Sequence, residues 1–113
     1  MRMRLAIALA GLLAACGADS DVSRTLGARC DTSAECDDRC LPPSGEFPDG
    51  FCTIACNDST ECPARSTCID DNGGSCLFEC TDDASCAFLG VAWTCKERDV
   101  RGGSGGKAMV CRG

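Results

Sequence analysis

The sequence predicts a small disulfide-rich protein with little regular secondary structure, built from three tandem four-cysteine units, each a helical turn plus a short β-hairpin. Thirteen of its 113 residues are cysteine, a density typical of exported disulfide scaffolds. Sixteen large apolar residues follow Cys16. At about 1.5–3 kcal/mol each when fully buried, they cannot offset the ordering of about 95 residues at about 1–2 kcal/mol each. Disulfides are therefore expected to hold the chain together.

The unit boundaries come from an internal repeat. The segments "CDTSAEC", "CNDSTEC" and "CTDDASC" share one cysteine spacing and start 26 and 24 residues apart, and each is followed by two more cysteines. Internal repeats of this kind indicate a recurring structural unit. The predicted units are residues 30–52, 56–76 and 80–111. Twelve cysteines are predicted to be disulfide-bonded: Cys30, Cys36, Cys40, Cys52, Cys56, Cys62, Cys68, Cys76, Cys80, Cys86, Cys95 and Cys111.

A single helical turn is predicted between the first two cysteines of each unit. Thr32 and Glu35 have the three-residue offset of a capping box, and Ser59 to Cys62 fits one turn. Capping and solvation account for the acidic residues in these segments better than paired catalytic carboxylates do.

A hairpin is predicted between the third and fourth cysteines of each unit. The segment "TCIDDNGGSCLF" is predicted to form two short strands around Asn-Gly, a strong hairpin signal. In the last unit "VAWTCKE" and "KAMVCR" are the predicted strands, joined by the flexible "RGGSGG". The Pro-Asp-Gly of "PPSGEFPDGFC" in the first unit is also turn chemistry.

Four cysteines allow three pairings, and the sequence alone does not choose among them. Two of the three join the helical turn to both strands: first-to-third with second-to-fourth, and first-to-fourth with second-to-third. Pairing neighbours would leave the turn unattached. We favour first-to-third with second-to-fourth, and the other arrangement stays open.

The amino-terminal segment predicts export. The basic "MRMR" precedes the apolar run "LAIALAGLLAA" and then Cys16, the layout of a secretory signal. This run is too short for a membrane span, which needs about 20 residues. Residues 1–15 are the predicted signal peptide, and their removal leaves 17 acidic and 9 basic residues. The acidic balance excludes nucleic acid as a partner and argues against electrostatic docking on anionic lipid.

The segment "LAAC" at residues 13–16 resembles the lipobox of bacterial lipoproteins. The resemblance implies lipid attachment at Cys16 and cleavage after Ala15, with residues 16–29 forming the lipidated cysteine and a flexible tether. Gly17 follows, where Asp would imply retention in an inner membrane. The protein is thus expected in the bacterial cell envelope, exported through the secretory pathway and lipid-anchored to the outer membrane of a two-membrane cell.

The repeat resembles the cysteine-rich repeats of lipoproteins and secreted proteins from myxobacteria, in which an "SDxxC"-like turn and a "GG(Y/F)C" element recur. Here "CDTSAEC" and "PDGFC" match them. The architecture is more distantly similar to whey acidic protein and EGF-like modules. This chain lacks the adjacent cysteine pair of the former and the fifth and sixth cysteines of the latter.

Catalysis and metal binding are not expected. The chain has no histidine and no tyrosine, so a serine or cysteine nucleophile would lack its usual base. It has no Cys-x-x-Cys, which argues against a zinc site. "DDNGG" at 70–74 lacks the alternating ligands of a calcium loop, and its composition favours a hairpin turn. The prediction is a protein that is not an enzyme and carries no cofactor.

The remaining hypothesis is a lipid-anchored, non-catalytic binding or structural module that contacts an extracellular or envelope protein or glycan. The candidate binding residues are Phe47, Phe51, Phe88 and Trp93. The competing interpretation is that these four form most of the hydrophobic core. The alternative function is protease inhibition by the disulfide-clamped "PARST" loop (63–67), with Arg65 as the specificity residue.

Overall fold

The computed structural model describes residues 22–113. It is a small, compact, disulfide-rich structure in which three two-stranded antiparallel sheets each follow a 3-10 helix. In chain order the elements are the first 3-10 helix (Ser33–Glu35), β1 (Arg39–Leu41), β2 (Phe51–Thr53), the second 3-10 helix (Ser59–Glu61), β3 (Ser66–Ile69), β4 (Ser75–Phe78), the third 3-10 helix (Asp83–Leu89), β5 (Thr94–Asp99) and β6 (Lys107–Arg112). The predicted hairpins and the predicted turns are thus present.

A glutamate at the third position caps the start of each of the first two helices. The Glu35 carboxylate accepts hydrogen bonds from the backbone amides of Asp31 (2.6 Å) and Thr32 (3.1 Å). Glu61 accepts from the amide of Asn57 (2.5 Å) in the same way. Such bonds satisfy amides that a helix start leaves unpaired. They also stabilise the ionised acid, so the amides of Asp31 and Thr32 hold the pKa of Glu35 below its ordinary value.

The third helix is longer than the single turn that the sequence predicts. It continues past its disulfide cysteine for three residues and ends at Leu89, which is buried. Gly90 follows with φ +135°, a conformation that side chains disfavour. The extension places Leu89 in the core, while Phe88 stays 46% exposed with its ring against Phe78.

The three hairpins share one hydrophobic core. The Phe51 ring of β2 lies 6.0 Å from the Phe78 ring of β4 and 5.5 Å from the Trp93 ring, between ring centroids. Backbone bridges add to this contact, because Glu79 pairs with Val110 and Ala55 with Ser75. Since isolated two-stranded hairpins are marginally stable at best, the shared core explains how three short ones are held in place.

Residues 22–29, which belong to the predicted tether, pack on the first hairpin. The Gly27 amide donates to the Cys52 carbonyl and the Cys52 amide donates to the Ala28 carbonyl, both at 2.8 Å. Leu26 is buried in the core. The apolar Leu26 and these strand-like bonds draw the segment into the body of the protein.

No helix within residues 22–113 combines the length and the apolar character that a membrane span requires.

Candidate functional site

All twelve cysteines in the described part of the chain form disulfides. The pairs are Cys30–Cys40, Cys36–Cys52, Cys56–Cys68, Cys62–Cys76, Cys80–Cys95 and Cys86–Cys111. This is the favoured first-to-third and second-to-fourth pairing in each case. Cys16, the predicted lipid-attachment residue, lies outside the described residues.

The same local geometry explains all six bonds. The third and fourth cysteines of each set stand directly opposite each other on the two strands, as Cys68 does to Cys76 in β3 and β4. They are not joined to each other. Instead, each is bonded to a cysteine that flanks the preceding 3-10 helix or lies within it. The helix is thereby attached to both strands.

Three sets of cysteine sulfurs lie close together, each within 4.8 Å: Cys30, Cys36 and Cys40; Cys56, Cys62 and Cys76; and Cys80, Cys86 and Cys111. Such a cluster has the ligand type of a zinc site, but zinc binds the thiolate. These sulfurs are all oxidised in disulfides. The clusters are therefore the product of adjacent disulfides and not of a ligand set.

The four candidate binding aromatics separate into two kinds. Phe47, Phe51 and Trp93 are 2%, 0% and 4% exposed, and they belong to the core. A partner cannot reach them in this conformation, so the core interpretation holds for these three. Phe88 is 46% exposed and lies on the third helix. It is the one member of the set that is available to a partner.

Arg65, the candidate specificity residue of the inhibitor hypothesis, is exposed in a tight turn. Its φ is +65°, and the Ser66 amide donates to the Pro63 carbonyl (3.1 Å) across the turn. The Arg65 carbonyl accepts a hydrogen bond from the Glu79 amide (3.0 Å). A protease must bind the carbonyl at its cleavage site in its own oxyanion hole. This geometry counts against the inhibitor hypothesis, which stays a prediction.

Arg65 and Phe88, which are 23 positions apart in the sequence, meet at one shallow groove of about 240 Å³. Phe78, Glu79 and Ser85 complete its lining. The Phe88 ring stands edge-on to the Phe78 ring, with centroids 5.2 Å apart, a favourable aromatic arrangement. The groove combines an apolar wall with one cation and one carboxylate, so it has binding chemistry but no nucleophile with an adjacent base.

Comparison with protein-family models, with curated protein sequences and with solved structures finds no match to this chain.

A buried arginine is the main polar feature that the sequence analysis missed. Arg112 is 4% exposed and pairs with Glu46 and Asp71, each at 3.2 Å. Its guanidinium carbon also lies 5.3 Å from the centre of the Phe47 ring. Strand alternation places Arg112 on the same face as the buried Val110, which is the signal that could have found it. Arg112 joins the third hairpin to loops of the first two, so its role is structural.

Proposed function

We propose that this protein is a lipid-anchored, non-catalytic lipoprotein of the bacterial cell envelope, displayed as a binding or structural module on the membrane surface. The observation that carries the proposal is cysteine parity. Six disulfides use all twelve cysteines of residues 22–113. Cys16 alone is left, and it stands at the end of "LAAC", where the lipobox resemblance requires a cysteine.

The proposed anchor and the disulfides both favour a compartment outside the cytosol. Disulfides persist in oxidising environments outside the cytosol, which is where a lipobox signal would send the chain. One acyl chain contributes about 0.8 kcal/mol per buried methylene and anchors only marginally, whereas two or more hold firmly. Diacylation at Cys16 would therefore give stable attachment. Gly17 favours the outer membrane in a two-membrane cell.

The mature chain is proposed to act by contact. The three tandem four-cysteine units would serve as a rigid frame for surface loops, and loops carry most recognition sites. The chain has no histidine or tyrosine, and several acidic side chains of residues 22–113 serve as helix caps or in ion pairs, as Glu35 and Asp70 do. The expected partner is a protein or glycan of the envelope.

The anchor is tested by intact mass and fractionation of the native protein. Wild type is expected in the membrane fraction, without residues 1–15, with added acyl mass and lacking twelve hydrogens for six disulfides. Cys16→Ser is expected to lose the acyl mass. Ser20→Ala, a small change outside the lipobox, is the matched control and should behave as wild type. A wild-type protein with a free Cys16 thiol in the soluble fraction would overturn the anchor.

Partner contact is tested separately on intact cells. Cross-linking of the wild-type protein, followed by mass spectrometry, should recover one recurrent envelope protein or glycan fragment. Recovery of the lipoprotein alone, under conditions that cross-link known envelope assemblies, would contradict the binding role and leave the structural one.

A further inference from the structure

We infer that the surface formed by Val22, Phe88 and Val91, here named the Phe88 face, rests on the lipid bilayer when the protein is anchored. This inference rests on the proposed lipid attachment at Cys16. It adds an orientation: one defined face of the folded body contacts lipid, and the opposite surfaces are left for partners.

The first argument is the composition of the exposed chain around Phe88. Residues 84–95, "ASCAFLGVAWTC", contain no charged side chain, although a quarter of the whole chain is charged. Phe88 is 46% exposed and Val91 is fully exposed, and Ala87 and Ala92 between and beside them are exposed as well. An exposed cluster of apolar side chains on a small acidic protein indicates a contact surface.

The second argument is the position of this cluster relative to the start of the described chain. A Cβ atom placed on Gly27 would lie 2.9 Å from Cε2 of Phe78 and 3.5 Å from Cγ1 of Val22. Val22 and Phe78 are therefore neighbours. The Phe88 ring packs on the same Phe78 ring, with centroids 5.2 Å apart. Val22 and Phe88 thus both lie near the Phe78 ring.

The third argument is the length of chain between the lipid and the body. Six residue steps separate Cys16 from Val22. Whatever their conformation, they span at most about 21 Å at about 3.5 Å per residue. Had the tether extended to residue 29, as the sequence predicted, it would have allowed about 45 Å. The anchor therefore keeps Val22, and with it the Phe78 ring on which Phe88 packs, near the bilayer surface, with Val22 itself within about 20 Å of it.

The fourth argument is electrostatic. Without residues 1–15 the chain has 17 acidic and 9 basic residues, a net charge of −8, which opposes close approach to anionic lipid. At the edge of the Phe88 face, however, two arginines lie near carboxylates. A Cβ atom placed on Gly90 would lie 3.8 Å from Nη2 of Arg29, and Arg29 forms an ion pair with Asp49 at 3.7 Å. Arg65 and Glu79 line the groove beside Phe88. These neighbouring opposite charges reduce the repulsion at this edge, so apolar burial can contribute there.

Depth-dependent fluorescence quenching tests the inference on the full lipidated protein. Phe88→Trp places an indole on the proposed lipid contact, while the native Trp93 is only 4% exposed. Liposomes of phosphatidylcholine brominated on the acyl chains should quench the emission of Phe88→Trp. Met109→Trp is the matched control, because Met109 is 41% exposed but lies in β6 opposite Glu97, in charged surroundings. Its emission should be unaffected. Intact mass and near-ultraviolet circular dichroism verify that both variants retain six disulfides and the native fold.

The outcomes separate this inference from the lipid anchor itself. A protein that fails to float with the liposomes overturns the anchor and the inference together. A protein that floats, with no more quenching in Phe88→Trp than in Met109→Trp, overturns the inference alone. A blue shift of Phe88→Trp emission that requires high protein density and is insensitive to bromine would assign the face to a second copy of this chain and also overturn it. Selective quenching that persists at high salt supports it, because apolar contacts are not screened.

Discussion

Substitution of Phe51 by alanine is expected to destabilise all three hairpins and not only the one that contains it. Phe51 lies in β2, yet its ring contacts Phe78 of the second hairpin and Trp93 beside the third. It is 0% exposed. No disulfide joins the three hairpins to one another within residues 22–113, so non-covalent contacts such as these must link them.

The expected magnitude follows from burial. Phe→Ala at a fully buried site costs about 3–5 kcal/mol, which is a large share of the roughly 5–15 kcal/mol that stabilises a typical domain. At about 1.4 kcal/mol per factor of ten, protected amides that exchange through global unfolding should exchange roughly 100- to 4,000-fold faster. This acceleration should appear in β1–β2, β3–β4 and β5–β6 alike.

Hydrogen exchange by mass spectrometry, with the disulfides intact, measures each hairpin separately. Phe88→Ala is the matched control, because Phe88 is half exposed and its ring contact with Phe78 contributes about 1 kcal/mol. It should have a small effect. Acceleration confined to β1–β2 in Phe51→Ala would refute the shared core and indicate three units that fold independently.

Two further predictions concern charged groups. Arg112→Met keeps a side chain of similar length but leaves two carboxylates without their cation. The free energy of unfolding, measured in urea, should fall by roughly 2 kcal/mol. This is less than the roughly 3–5 kcal/mol expected for breaking a fully buried pair, because Glu46 is 63% exposed. Wild-type stability in Arg112→Met would contradict this. Glu35 has a pKa below its ordinary value of 4.5 in the folded state, so its stabilising contribution is present above that value and is lost as the pH falls through the lowered folded-state pKa. The urea midpoints of wild type and Glu35→Gln should differ at pH 7 and converge in acid, and a difference independent of pH would contradict the capping role.

Local elements were predictable because local chemistry decides them. A glutamate at the third helical position caps the first and second 3-10 helices. Asn-Gly in "DNGG" forms the β3–β4 turn, where Asn72 and Gly73 both have positive φ. The disulfide pairing could also be narrowed from the sequence to two arrangements. A helix flanked by two cysteines can be attached to both strands in only two ways, and the geometry is the same in each of the three cases.

The features that sequence reasoning missed depend on contacts between distant parts of the chain. Residues 22–29 contain few apolar side chains and resemble a linker, yet Leu26 is buried in the core. Arg112 stands next to a cysteine in a short strand and is buried only because loops of the first and second hairpins supply Glu46 and Asp71. Neither outcome follows from the local pattern.

The sequence by itself therefore determined the disulfide-rich class, the helical turns and hairpins, and the cysteine that stands apart from the twelve. Cysteine spacing and turn residues act over a few positions, so one sequence suffices to interpret them. The tertiary structure decided that three hairpins share one core, that Phe47, Phe51 and Trp93 are buried while Phe88 is exposed, and that the body begins by residue 22. Apolar burial is non-directional, and which side chains meet is determined only when the whole chain is packed.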